Sequence, residues 1–264
     1  MAGAVNSADT GIIMQNLSDD IFEGRIEELA RAAAGRGCFM FSDFLNPAQQ
    51  SYVLSVKKNL PAEVSFFGGY ETAERVIARF GCEEEAGYAV QYPIILLHIS
   101  PLNMKFSDKL THRDFLGAVL NLGIDRRLTG DILTDGKEGW LFAREHIAGF
   151  IEESLTRVKH TSVFVSRADK LPEGLVPEPA AVSLIVPSLR LDAVISKSFG
   201  LSRKEVQNLL NSEKIFVNSR IQEKASYILK ENDLVSVRGS GRLKYIETAG
   251  ITKKENIKIT VLKY

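Results

Sequence analysis

The residues whose types and spacing suit chemistry lie toward the C-terminus. Ser202-Arg203-Lys204-Glu205 has the spacing of a capping box, in which Ser202 covers one free helix N–H and Glu205 reaches back to another. Val206, Leu209 and Leu210 follow as an apolar stripe. Arg203, Lys204, Gln207, Asn208 and Asn211 fall on the opposite side. Cations and amides together on one exposed helix face suit a phosphate backbone: the cations contact phosphates and the amides fix position. Lys214, Asn218, Arg220 and the Gly-rich basic turn from Arg238 to Arg242 continue this character.

Other groups promise less. His98, His112, His146 and His160 are scattered, with no H-x-x-x-H pattern, so neither a metal site nor a histidine centre is expected. Cys38 and Cys82 form no C-x-x-C pair. Gly35-Arg36-Gly37 and Gly239-Ser240-Gly241 are too short for a dinucleotide loop and read as turns, so no cofactor is expected. Arg190-Leu191-Asp192 is similar to the catalytic stretch of pseudouridine synthases. Asp192, however, falls in the first turn of a helix, where a carboxylate suits the dipole. No large synthase-type β domain is left elsewhere to house that chemistry. Trp140 and Phe142 alternate, so they share one sheet face. They would stack bases if exposed, but the region is acidic and the reading is core, beneath helices.

Charge separates the part that holds the cationic face. The whole chain of 264 residues has net charge zero. Residues 187–264 hold 15 Lys and Arg against 8 Asp and Glu, whereas residues 1–186 hold 18 against 25. A basic unit on an acidic chain is a candidate polyanion-binding module. Apolar content of 45% and charged content of 25% exclude a disordered or collagenous chain. The run Ile94 to Leu97 is far short of the roughly 20 residues of a spanning helix. Met1 to Ser7 has no basic stretch feeding a hydrophobic core, so no signal peptide is expected, and a cytoplasmic protein is.

The elements that must position these residues read as an α+β chain of three units. Residues 1–88 form an N-terminal α/β region. Within it, 1–11 are disordered, Asp19 to Ala34 is a helix capped by Ser18 or Asp19, and Asn46 caps a helix from Pro47 to about Asn59. Val64 to Phe67 is a strand, Thr72 to Phe80 a short helix, and Glu83 to Glu85 an acidic turn. Residues 89–170 read as strand, helix, hairpin around Asp135-Gly136, helix and strand. This β-α-β-β-α-β order is the ferredoxin-like motif, shared with the single-stranded-RNA sheet domain. Pro172, Pro177 and Pro179 mark 171–181 as a linker. Residues 182–264 open with a helix capped by Ser188 and closed by Gly200, then the helix from Ser202, then short strands.

Leu189 to Val194, Leu201 to Leu210, Lys214 to Asn218 and Val237-Arg238-Gly239 together resemble the S-four RNA-binding domain. The resemblance implies RNA contacts at Arg190, Ser202, Arg203, Lys204, Gln207, Asn218 and Arg220. Ser219 departs from it, standing where many members carry glycine. Phe41 to Pro47, Phe66-Phe67-Gly68-Gly69 with Ala73-Glu74-Arg75, His112 to Gly117, and Arg127 to Leu133 resemble the YlmH-type proteins, also described as photosystem-two S-four-domain or cell-division-cluster proteins. That resemblance spans about residues 17 to 262 and implies a ribosome-associated protein of bacterial or plastid type. It would be a monomer whose partners are ribosomal RNA, tRNA and the large subunit carrying stalled peptidyl-tRNA. The alternatives are an RNA-modifying enzyme anchored by the S-four module and a cell-division adaptor.

Overall fold

The computed structural model describes residues 7–176 and 178–264. Residues 1–6 of the stretch expected to be disordered, and Pro177 of the expected linker, lie outside the described residues. Residues 7–11 open helix α1 (Ser7–Arg36), which therefore starts well before Ser18. Its buried side, Ile26, Leu29, Ala30 and Ala33, repeats at helical spacing.

After β1 (Met40–Leu45), Asn46 caps α2 (Pro47–Val56). Its side chain accepts the Gln49 N–H at 3.0 Å, and Gln49 Oε1 accepts the Asn46 N–H at 3.0 Å. Strands β2 (Val64–Phe67) and β3 (Val76–Phe80) complete an antiparallel sheet of order β1-β3-β2. The helix expected from Thr72 to Phe80 is therefore corrected to a strand. As the central strand, β3 is buried on both sides: Ala78 and Phe80 pack with α1, while Ile77 packs with the next unit. Burial on both sides erases alternation, and a short apolar run then cannot separate helix from strand. The acidic turn is the one-turn helix α3 (Glu83–Ala86).

The middle unit comprises β4 (Ile94–Pro101), α4 (His112–Leu120), β5 (Thr129–Thr134), β6 (Gly139–Arg144), α5 (Glu145–Ser154), β7 (Arg157–Val158) and β8 (Thr161–Ala168). Its antiparallel sheet has the order β5-β6-β4-β8-β7, and β5-β6-β4-β8 is the order of the split βαβ motif. Both helices cover one face, where Leu97, Ile99, Leu141 and Ala143 meet Phe115, Val119, Ala148 and Ile151. Trp140 and Phe142 are core, as expected, but among the described residues no helix packs on them. They face the other way, against Phe44 and Ile77 of the N-terminal sheet.

That seam has a polar hub. Asp131, on β5, retains 8% exposure. It accepts the Tyr70 hydroxyl at 2.9 Å and the N–H groups of Glu74 and Arg75 at 2.6 and 3.1 Å. The Arg75 guanidinium donates to the carbonyls of Thr129, Phe44 and Arg126. Burial, with Arg126 nearby, lowers its pKa to about 10. Gly130 permits the approach: a Cβ there would sit 2.6 Å from the Phe44 ring.

The C-terminal unit comprises β9 (Ala180–Val186), α6 (Leu191–Phe199), α7 (Arg203–Asn211), β10 (Ile215–Val217), β11 (Arg220–Ile221), β12 (Leu234–Val237), β13 (Gly241–Ile251) and β14 (Ile257–Lys263). Its sheet has the order β11-β10-β12-β13-β14-β9. Residues 180–181, expected in the linker, belong to β9, which pairs with β14 from Ala180↔Lys263 to Val186↔Ile257. Helix α6 starts at Leu191 with Arg190 at its cap position, not at Ser188.

Candidate nucleic-acid interface

Two short helices set the cationic face. Leu191, Val194 and Ile195 of α6 and Val206 and Leu210 of α7 are buried against the strands. Gly200 closes α6 with φ +69, a left-handed conformation that suits glycine, and its N–H donates to the Ser196 carbonyl. The Ser202 hydroxyl accepts the Glu205 N–H at 3.2 Å, and the Glu205 carboxylate accepts the Ser202 N–H at 2.7 Å. Hydrogen bonding from the Ser202 side chain and from its N–H holds the Glu205 carboxyl below its usual range. Ser202 is thus occupied as a cap. Arg203, Lys204, Gln207 and Asn208 are exposed beyond it. Gln207 donates to Asn211 at 2.9 Å, so the amides are linked along the face.

Arg190 grips Asp192 through two bonds, Nε at 3.0 Å and a terminal nitrogen at 2.9 Å. This contact pushes the arginine up and the carboxyl down; Arg203 adds to the depression of Asp192, which places its charge beside the pair. Asp192 also accepts the Ala193 N–H at 2.9 Å. The first-turn role foreseen for it is the one seen. Lys214 and Arg238 are exposed and adjacent, since the Arg238 N–H donates to the Lys214 carbonyl at 2.9 Å.

Three of the expected RNA-contact residues have partners within the protein. Both ends of the Asn218 amide are engaged, donating to Asp233 at 2.7 Å and accepting the Leu234 N–H at 2.9 Å. Arg220 donates to the Leu54 carbonyl at 3.2 Å, beside a bond from the Ile221 N–H to the Ser51 hydroxyl at 2.8 Å. Arg242 donates to the Thr72 carbonyl at 2.7 Å and lies 3.8 Å from the Glu74 carboxylate. These residues fasten a hairpin and dock the module on the N-terminal unit. Nothing local in the sequence marks Glu74, Arg75 and Asp131 for docking, because their partners lie far along the chain. Among the described residues no cluster of three His, Cys, Asp or Glu could hold a metal ion, and no helix is long and apolar enough to cross a membrane.

A paired-helix cationic face over a small sheet, carried beside a split βαβ domain, defines an RNA-binding protein built on an S-four module. The family model "S4 domain" matches residues 189–235, and "Putative RNA-binding domain in YlmH" matches residues 89–171. The chain is 30% identical to "Ribosome-associated protein quality control protein P2" of Bacillus subtilis (strain 168), over 83% of this chain and 85% of that protein. The chain belongs to the YlmH family. It is also similar to a solved structure, "Cell division protein ylmH from Streptococcus pneumoniae", with 21% identity and a TM-score of 0.47, over 64% of this chain and 95% of that one.

Proposed function

We propose that the chain is a non-catalytic binder of structured RNA, ribosomal RNA or tRNA, on the large ribosomal subunit. It acts there as a cytoplasmic monomer in quality control of stalled peptidyl-tRNA. The observation that carries this reading is the α7 face, where Arg203 and Lys204 are exposed in the first turn of a capped helix. The positive dipole end of that helix also favours phosphate. The relative named for ribosome-associated quality control supports the setting. Asp192 supports the absence of catalysis, because Arg190 and the first turn of α6 already use its carboxylate. Arg203, Lys204, Gln207, Asn208, Lys214 and Arg238 make the contacts, with Arg190 at their edge.

The test is a ribosome gradient with crosslink mapping of bound RNA. The full chain is expected in large-subunit fractions, with crosslinks at α7 and the Lys214–Arg238 turn. Absence from all ribosomal fractions, or crosslinks confined to residues 1–170, would overturn the reading.

A further inference from the structure

Sheet domains of the split βαβ topology bind RNA by stacking bases on aromatic rings of an open face. Here Trp140 and Phe142 retain 5% and 3% exposure beneath the N-terminal sheet, out of reach of bases. Free charge in this domain lies elsewhere. Arg126 donates to the carbonyls of Thr129 and Gly130. Arg127 pairs with Asp125, Arg167 pairs with Glu152, and Arg144 is half-buried at the start of α5. Arg113 and Arg157 are exposed and, among the described residues, make no side-chain hydrogen bond or ion pair.

Both line one open cleft of about 480 Å³ between α4, the end of α5 and the β7–β8 hairpin. Lys159 joins them from the hairpin turn, where φ is 58°. The one carboxylate on the wall, Asp114, is already engaged. It accepts the Thr111 N–H and hydroxyl at 2.8 and 2.7 Å and lies 3.5 Å from Lys159. Asn121 and Thr156 add neutral polar groups.

We propose that this cleft is a second RNA site that takes the phosphodiester backbone. The step rests on reading the chain as an RNA binder. A guanidinium presents a planar fork that matches phosphate oxygens, and Lys159 adds a mobile point charge. Three cations against one occupied carboxylate leave net positive charge along an open channel. That arrangement fits a continuous anionic strand.

The test uses the full chain with purified tRNA as probe, titrated at several salt concentrations beside a thermal melt. The variants are Arg113→Ala with Arg157→Ala, the same pair changed to Lys, and Arg203→Ala with Lys204→Ala. Each alanine pair removes two phosphate contacts, so the slope of log affinity against log salt becomes shallower by about 1.5–2. The lysine pair keeps the charges and restores the slope. An unchanged slope in the cleft variant, with a shallower one in the α7 variant, overturns the cleft and leaves the proposed function standing. Unchanged slopes in both overturn the cleft and the α7 face alike, and no binding of tRNA by the full chain removes RNA binding itself. A lower melting temperature with an unchanged slope assigns the cations to the exposed carbonyls ending α5, and also overturns the cleft.

Discussion

Replacing Asp131 by alanine removes the acceptor on which the seam between the N-terminal and middle units converges. Three donors lose their partner: the Tyr70 hydroxyl and the N–H groups of Glu74 and Arg75. A donor left unsatisfied in the interior costs about 1–3 kcal/mol. Tyr70 can turn toward water, whereas the two amides are fixed by the backbone, so the loss should be about 3–5 kcal/mol. That is a large share of the roughly 5–15 kcal/mol that stabilises a folded domain. Tyr70→Phe is the control, because it deletes one bond and leaves both amides satisfied, for about 1 kcal/mol. Asp131→Asn falls between, keeping the shape but turning an NH2 toward a donor. The chain has a single tryptophan, Trp140, which packs in the same layer as Phe44, Ile77 and Phe142. Its fluorescence in urea therefore reports on this seam. Midpoints should fall in the order Tyr70→Phe, Asp131→Asn, Asp131→Ala. An Asp131→Ala midpoint no lower than that of Tyr70→Phe would refute the idea that the carboxylate holds the seam.

Ser219→Gly should stabilise the protein by about 0.5–1 kcal/mol, since Ser219 sits at φ 61° in the β10–β11 hairpin, where glycine is unstrained; a lower melting temperature would contradict this. The Arg190 guanidinium holds the Asp192 carboxyl below its usual range, and a carboxyl depressed in the folded state adds stability above its unfolded pKa of about 3.9 and loses it as pH falls through the folded value. The small contribution of this largely solvated pair should be full at neutral pH and fade in acid, so equal acid-induced loss of melting temperature in wild type and Arg190→Gln would sink the assignment.

Elements with local signatures were legible in sequence. The Asn46-Pro47 start, the Ser202–Glu205 box and the Asp135-Gly136 hairpin each depend on neighbours within a few residues, and each stands where expected. Elements made by distant partners were not. The strand β9 exists because β14 pairs with it, and its prolines upstream conceal this. Ser188 is a good cap by residue type, yet Arg190 bridges Ile228 and the Leu191 N–H donates to Tyr227, which holds the chain extended to that point. The site divides the same way. The exposure of Arg203 and Lys204 follows from helical spacing alone, whereas the partners of Asn218, Arg220 and Arg242, which are Asp233, Leu54 and Thr72, lie far along the chain.

The positive excess of the C-terminal unit consequently serves two ends. Its 15 lysines and arginines, all neutralising phosphates, would give a salt slope near −13. The structure withholds several. Arg220 and Arg242 dock the module, Arg190 is neutralised by Asp192, and Lys263 donates to the Ser198 carbonyl beside the Phe199 ring. Lys197, Lys224, Lys230, Lys253, Lys254 and Lys258 are exposed as well, but outside the proposed contact set of Arg203, Lys204, Lys214 and Arg238, which by itself gives a slope of about −3 to −4. The docking contacts bring basic side chains against an acidic partner unit, as Arg242 beside Glu74 shows. Part of the excess charge thus fixes the module in place, through Arg220 and Arg242.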